Sequence, residues 1–481
     1  MYRRAMEDNI SKGYAVMLTE EEAATSNQKT WYLLHHGVES PNKPGRIRVV
    51  FDAASSFGGT LLNQELLQGP DINNSLVGVL ARFRENPIAI VADIEAMFMQ
   101  FKVPADDADA LRFLWSQDSE AEPKTYRMTR HIFGATDSPS ICTYGLKRCA
   151  LDNEADFDPM VAATVLRSFY MDDLYKSTAA SIAIRLALQL IEMLDKAHLT
   201  LTKFVSNSLE VLKAIPESRR ATGCKDLMIG CDLPTERALG ITWDVASDTL
   251  SVKVAEMNQP NTRRGCLSDV SSLYDPLKMV GPVTLPAKRI LKMTSKLNVG
   301  WDEQLPDVLL SSWLKWKVSL RGLGELRIPR CYFPEETPVS IELHHFGDAS
   351  EVGYGTVSYL RKVKDDGTAH CSFVMAKGRT APSVFVSVPR LELQAAVVAS
   401  RVDRLIRREL DVEVDRVVFW TDSRITLQYI RNESMRFKTY VANRVTEIRD
   451  SSRPDQWRHV PGKDNPADDI SRGQSVFMKC S

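Results

Sequence analysis

The chain has 481 residues, 44% apolar and 26% charged, with a formal net charge of −1 and eight cysteines; that length suits two or three domains with real cores, and the balance is that of an ordinary soluble globular protein. No run of roughly eighteen apolar residues suggests a membrane span, and the charged start MYRRAMEDN is not a secretory signal, so an intracellular setting is expected. The cysteines stand singly without a C-x-x-C pair, which speaks against a zinc knuckle or a disulfide framework, and the near-neutral charge speaks mildly against nucleic-acid binding, whose phosphate affinity comes from Lys and Arg.

Residues 1–45 mix helix formers with a polar break at Glu39–Gly45, a turn signal before the strand Arg46–Asp52, where charge alternates with apolar side chains. Pro70–Ser75 offers a turn and an N-cap for an amphipathic helix, Leu76–Arg84, whose end is basic. It should pack on the sheet that carries Asp93. The run Ile88–Ile94 is continuously apolar and β-branched up to that one carboxylate, which puts Asp93 at the C-terminal edge of a buried strand. Residues 111–130 read as two strands around a polar loop, Ser116–Pro123. In His131–Pro139, Gly134 lets the backbone approach a ligand closely, and Ser138-Pro139 should cap and start a helix running from about Ser140 to Leu151.

Next comes Ser168-Phe169-Tyr170-Met171-Asp172-Asp173-Leu174-Tyr175, an apolar and aromatic run holding two acids at a hairpin tip. Adjacent carboxylates repel unless a cation sits between them, and hard oxygen ligands suit Mg²⁺. Asp-Asp pairs also occur at 106–107, 365–366 and 468–469, so the pair alone reads more readily as a solvated turn. Asp93 changes the weighing. Three acids on two neighbouring strands could hold two metal ions about 3.5–4 Å apart, the arrangement that serves nucleotidyl transfer.

Further on, Leu186–Leu199 reads as an amphipathic helix packed on the back of the sheet. Lys288, Arg289, Lys292 and Lys296 follow helical spacing and give a basic face that could track a phosphate backbone, with a solvated charged face as the alternative. Leu323–Pro338 is rich in proline and charge, like a linker. Beyond it, Asp348 sits in an expected hairpin, Glu392 near the start of a long helix, Asp422 at the end of the strand Arg416–Ser423, and Asp468 and Asp469 in a closing turn. Each acid alone would pass as a cap or solvated turn. Four together could hold two Mg²⁺ ions that activate water against a phosphodiester.

The Tyr170–Asp173 tetrad, the upstream A-D-I-E-A-M-F and the intervening H-I-F-G-A-T-D-S-P-S resemble a reverse transcriptase. The wider wording, R-V-V-F-D-A-A-S-S-F-G-G-T-L-L-N, L-L-Q-G-P-D and F-Y-M-D-D-L-Y-K-S, looks like the polymerase of BEL/Pao-type LTR retrotransposons. The resemblance implies an α+β right-hand polymerase of fingers, palm and thumb, followed by an α/β ribonuclease H-like domain with a mixed five-stranded sheet. Its divisions would be fingers and palm at 1–254, helical thumb, connection and linker at 255–337, the ribonuclease H-like domain at 338–475 and a tail at 476–481.

By the same resemblance Asp93, Asp172 and Asp173 bind the polymerase metals, while Asp348, Glu392, Asp422 and Asp468 bind those of the nuclease, with Asp469 as a substitute for Asp468. Two Mg²⁺ per site are implied, with Mn²⁺ as an option. Arg48 would grip the incoming triphosphate with Asp52 beside it, Phe98 would crowd a 2′-hydroxyl, and Lys203 would reach the pyrophosphate as a general acid. Phe133, Gly134, Tyr170 and Met171 would line the nucleotide and template base, Phe133 standing where retroviral enzymes often have Gln. Leu239–Trp243 resembles the hairpin that grips the primer end. Two departures are visible: Lys278 stands where the family usually has Gly, and Lys463 where many ribonucleases H have His.

The expected partners are an RNA template, a DNA primer or RNA–DNA hybrid, and dNTPs, with no membrane; the expected location is a cytoplasmic element particle, with passage into the nucleus as an option. The chain reads as a fragment of a longer polyprotein, and its sequence does not reveal an oligomeric state. Two other readings stay open at this point: a decayed or domesticated copy that binds nucleic acid without catalysis, and a nuclease with a collapsed polymerase half.

Overall fold

The computed structural model describes the chain except residues 40–44, 46, 117–121, 225–234, 239, 334–339, 365 and 475–481. Most of the polar break before the first strand, the middle of the 116–123 loop, Leu239 of the short hairpin, the last part of the expected linker and the tail at 476–481 therefore lie outside the described residues.

The element that positions the first set of acids is a four-stranded antiparallel sheet, ordered Leu201–Ser206, Ile88–Ile94, Asp173–Thr178, Phe169–Tyr170. The Ile88–Ile94 strand is apolar but for Asp93 because both its faces are covered. Ile90, Ala92 and Ile94 pack under the helices Ser138–Asn153, Pro159–Arg167 and Ala180–Lys196. Ala89 and Val91 turn the other way, toward a core with Phe83, Tyr175 and Trp243. The helix Ala180–Lys196 starts six residues before the expected Leu186 and buries Ala183, Leu186, Ala187, Leu190, Ile191 and Leu194, a stripe with helical period. The helix after the 131–137 loop begins at Ser138 with Asp137 as its N-cap, and no side chain caps it. The expected capping role of Ser138 is thus corrected: Ser138 is already inside the first turn.

Ahead of this sheet, Leu34–Glu39 pairs with Ile47–Asp52, and Ala15–Met17, Lys124–Met128 and Arg112–Trp115 form a three-stranded sheet over a core of Phe51, Phe113 and Tyr126. After it, Ile241–Asp244 and Thr249–Val252 sit in a four-stranded sheet, beside the helices Arg263–Ser272, Gly281–Lys296 and Asp307–Ser319. Those helices close on Trp313 and Trp316, stacked 4.7 Å apart.

The C-terminal part is built on the expected mixed five-stranded sheet, ordered Ala369–Thr380, Gly353–Val363, Ser340–Ala349, Arg416–Thr421, Trp457–His459. The first three strands run antiparallel, and the last two join in parallel. The helix Val388–Glu409 lies across it, using small residues for close approach: a Cβ on Gly347 would stand 3.6 Å from the Ala395 backbone. Among the described residues no helix is long and apolar enough to cross a membrane.

At the basic end of the Leu76–Arg82 helix, and within the expected linker as far as residue 333, charge is buried rather than solvated. Arg84 and Arg330 are 1% and 0% exposed, and Tyr332 is also fully buried. Arg330 donates to the carbonyls of Phe83, Asn86 and Pro87 at 2.6–3.0 Å and to Asp248 Oδ1 and Oδ2 at 2.6 and 2.8 Å. Arg84 donates to the carbonyls of Arg330, Val374 and Pro329 and lies over the Tyr332 ring at 4.3 Å. Buried guanidinium groups persist only when their donors are satisfied, and here the carbonyls do so. Arg82 completes the joint through Glu409, at 2.9 Å, and the carbonyl of Arg167. These bonds clamp the first sheet to the C-terminal unit.

Candidate functional site

Two sets of acids converge, each at one end of a sheet. In the first, the antiparallel register places Asp173 directly opposite Asp93, and Ile94 N–H donates to the Asp172 carbonyl at 2.9 Å. Cross-strand partners have Cβ atoms about 4.5–5.5 Å apart and face the same side. The hairpin turns through Met171, which adopts a left-handed φ of 56°, leaving Asp172 at the tip. Burial raises the Asp172 pKa, Asp93 raises it further, and Lys203 and Arg48 oppose the rise. All three predicted acids are therefore together.

Lys203 reaches Asp93 because its strand is irregular. The register against Ile88–Ile94 slips between Thr202 and Val205, with Lys203 at φ 55°. A bulge of this kind re-aims one side chain, and here it brings Nζ to 2.8 Å from Asp93 Oδ1. The chain thus supplies a cation where acids crowd. Arg48 is exposed on the Ile47–Asp52 strand, with its charge felt at Asp172. Asp52 accepts from Ala54 N–H at 3.0 Å, closing its own turn.

The surrounding surface is aromatic. Phe98 follows a left-handed Ala96 (φ 49°), and its ring meets Phe133 edge-on at 5.8 Å. Phe133 is 55% exposed. Gly134 has φ +110°, and a Cβ there would stand 3.2 Å from the Phe51 carbonyl, so glycine is required both for conformation and for space. Sequence reading missed Asn63, which braces this loop by donating to the Gly134 carbonyl at 3.0 Å and accepting from Thr136 N–H at 2.9 Å. Its only trace was its place at the end of the quoted T-L-L-N. Tyr170 is half-buried and pairs with Asp173.

In the second set, Asp348 is 3% exposed in the central strand. Burial pushes its carboxyl up to about 7 against the pull of the Ser471 hydroxyl, and Asp422 and Asp468 add to the rise. Glu392 is raised by burial and also by Asp422, while the Ser423 hydroxyl donates to its Oε2 at 2.6 Å. Asp422 Oδ1 is buried and has no hydrogen-bond partner among the described residues. Asp468 opens the short helix Asp468–Arg472 and accepts from Arg472, whereas Asp469 accepts from Gln474. Between the two candidates, Asp468 is the one whose charge acts on Asp348. Ser423 and Ser471, which brace Glu392 and Asp348, were not foreseen. Lys463 is exposed next to Gly462, where a Cβ would stand 3.3 Å from Asp422 Oδ2. Among the described residues no three His, Cys, Asp or Glu side chains close tightly enough to form a finished metal cage. The acids converge on each site but stay open.

The expected basic helix face is divided, which corrects the reading of Lys288, Arg289, Lys292 and Lys296 as one track. Lys288 and Lys292 are half-buried, and Lys292 donates to the Ala381 carbonyl of the C-terminal unit. Arg289 and Lys296 are exposed. The helix leans on that unit with the side that was expected to face a phosphate backbone.

Residues 262–423 match the family model of the Pao retrotransposon-like RNaseH-like domain. The matched span includes Asp348, Glu392 and Asp422, and it bears out the resemblance to BEL/Pao-type retrotransposon Pol. No curated protein matches the sequence. Among solved structures, a foamy viral protease-reverse transcriptase in complex with double-stranded DNA (designated dRH) is 13% identical, with TM-score 0.60, over 96% of this chain and 70% of that one. A second double-stranded DNA complex of the foamy viral protein is 14% identical, with TM-score 0.56, over 97% of this chain and 83% of that one. Its complex with an RNA/DNA hybrid is 13% identical, with TM-score 0.55, over 99% of this chain and 55% of that one. Identity this low makes the likeness one of fold.

Proposed function

We propose that the chain is the RNA-directed DNA polymerase of a BEL/Pao-like LTR retrotransposon, with a C-terminal ribonuclease H that cuts the RNA of RNA–DNA hybrids. The observation that carries this reading is the register of the first sheet, which sets Asp173 against Asp93 and leaves Asp172 beside them. In this reading residues 1–254 act as fingers and palm, and the helices from Arg263 to Ser319 act as thumb and connection.

The residues fit divalent cations. Both donor sets consist of carboxylate oxygens, suited to Mg²⁺ or Mn²⁺; an ammonium already occupies one Asp93 oxygen, and Asp422 Oδ1 is an orphaned buried acceptor. Asp93, Asp172 and Asp173 would hold the ions of one centre, and Asp348, Glu392, Asp422 and Asp468 those of the other. When bound, such ions lower the pKa of the attacking hydroxyl or water and stabilise charge on the leaving oxygen.

The remaining contributions belong to the side chains. Arg48 offers a planar fork to triphosphate oxygens from an exposed strand. Lys203, released from Asp93, carries its proton to the pyrophosphate oxygen that departs. Phe98, edge-on to Phe133, narrows the space beneath the sugar and disfavours a 2′-hydroxyl. Asn63 holds the Gly134 loop in place for the base. In the nuclease centre Ser471 and Ser423 fix the rotamers of Asp348 and Glu392.

The test is primer extension by purified protein on a primed RNA template with Mg²⁺ and dNTPs. Wild type should extend and Asp172→Asn should not; equal extension by both refutes the proposal.

A further inference from the structure

We infer that Lys278 and Lys288 form an anion site that holds a backbone phosphate of the nucleic acid entering the C-terminal centre. The inference rests on the nuclease reading and adds a contact that neither the resemblance nor the family match assigns. A small open cleft, with about 10 Å³ of space for a water-sized group, lies between the middle helices and the C-terminal sheet, lined by Lys278, Gly281, Leu285, Lys288, Gly378 and Ile470. Both lysines are partly buried, and neither ammonium carries a hydrogen bond or an ion pair among the described residues. The nearest counter-charge, Asp275, is itself buried and is committed to the backbone N–H groups of Met279 and Val280, each at 2.9 Å. Two cations thus share one cleft with at most one acid. Burial and the neighbouring Lys278 both disfavour the charged form of Lys288, a penalty that a bound anion would remove.

Backbone geometry argues for function independently. Lys278 sits at φ 59°, a conformation that glycine adopts without strain and a lysine does not. Strain of this kind persists where a side chain is needed, and the ammonium on the cleft wall is what the lysine adds there. The cleft also lies on the face to which Asp348 belongs. Asp348 pairs with Gly355, and Gly355 pairs with Gly378, so the three residues form one row across the sheet and face the same side. Two interstrand spacings separate the ends of the row by about 10 Å. The helix Asp468–Arg472 runs between them, for a Cβ on Gly378 would meet Ile470 Cγ1 at 2.8 Å. A strand whose scissile phosphate lies at Asp348 can therefore rest a neighbouring phosphate against the lysines.

The experiment is fluorescence anisotropy of a labelled RNA–DNA hybrid on the full chain, carried out with Ca²⁺ and repeated across a salt series. Lys278→Gly relieves the backbone and should not lower the melting temperature, so it separates lost charge from lost fold. With Lys288→Met added, affinity should fall on the order of tenfold, and the slope of log K against log salt should flatten by about one to two. Unchanged affinity and slope in the double variant, beside wild-type protein that binds the hybrid, overturn this inference and leave the proposed function standing. Wild-type protein that binds no hybrid sinks both. Inorganic phosphate serves as the second probe: thermal stabilisation by free phosphate that needs the two lysines, with hybrid affinity unaffected by their loss, also overturns the assignment to a nucleic-acid backbone.

Discussion

The two carboxylate centres solve one electrostatic problem in different ways. In the first, the strand Leu201–Ser206 breaks its register so that Lys203 can neutralise Asp93, and Arg48 adds a second positive charge within reach of Asp172. In the second, Asp348 lies deep in the sheet, and its acids meet hydroxyls and one another, with Arg472 joined to Asp468 at the margin. At the first centre Lys203 and Arg48 oppose the rise that burial and Asp93 impose on Asp172, whereas at the second burial, with Asp422 and Asp468 adding to it, pushes Asp348 up to about 7. An incoming metal would therefore meet a lysine on Asp93 at one centre and a carboxyl that burial biases toward its neutral form at the other.

The sharpest way to break the comparison is to remove one acid from each centre. Asp172→Asn should lower primer extension by more than about 10³ while hybrid cleavage continues, and Asp348→Asn should do the reverse, as gel assays of both products would reveal. Loss of both activities from either change would mean that the centres are not separable. Next in size is the joint between them. Arg330→Met removes one donor from the Asp248 carboxylate and from each of three carbonyls, and should cost about 3–5 kcal/mol in urea unfolding; a cost under about 1 kcal/mol would mean the clamp contributes little. Lys203→Met should then reduce the extension rate on the order of 10² without touching cleavage, since the proton donor belongs to one centre alone.

Acidity separates the centres from the joint. Glu85 is raised to about 7, chiefly by burial, and accepts from Asp411 N–H at 2.7 Å. The folded protein therefore holds a proton on Glu85 that the unfolded chain releases from about pH 4.5 upward, so this group's contribution to stability is lost as pH climbs through that window toward 7. Melting curves of Glu85→Gln should lose this slope, while the fall of hybrid cleavage below about pH 7, which stems from Asp348, should remain. The smallest effect is at the sugar: Phe98→Ala should narrow the preference for dNTPs over rNTPs by roughly tenfold, measured as the ratio of kcat/KM values.

Much of each centre was legible because short motifs carry their own geometry. An apolar run leading to Asp93 and a hairpin with Asp172-Asp173 at its tip each put their acids at a strand end, and the pairing of Asp173–Thr178 with Ile88–Ile94 brings those ends together. The five-stranded sheet was expected from the family resemblance, and the observed strand order agrees with it. The failures share a cause. The sequence shows Arg84 only as the basic end of a helix, Arg330 only as part of a charged linker and Lys292 only as part of a basic face, yet their partners are carbonyls far away in the chain, which local pattern cannot reveal. Asn63 and Ser471 escaped for the same reason, since each acts on a residue about 70 or more positions distant.

The clamp built from Arg82, Arg84 and Arg330 has a consequence for how the molecule would measure nucleic acid. Because it grips the sheet of the first centre against the unit bearing the second, the path between them is a ruler of set length. Fragments released during copying would then be cut at a characteristic interval behind the growing end, and loosening the clamp would smear that interval before it slowed either reaction.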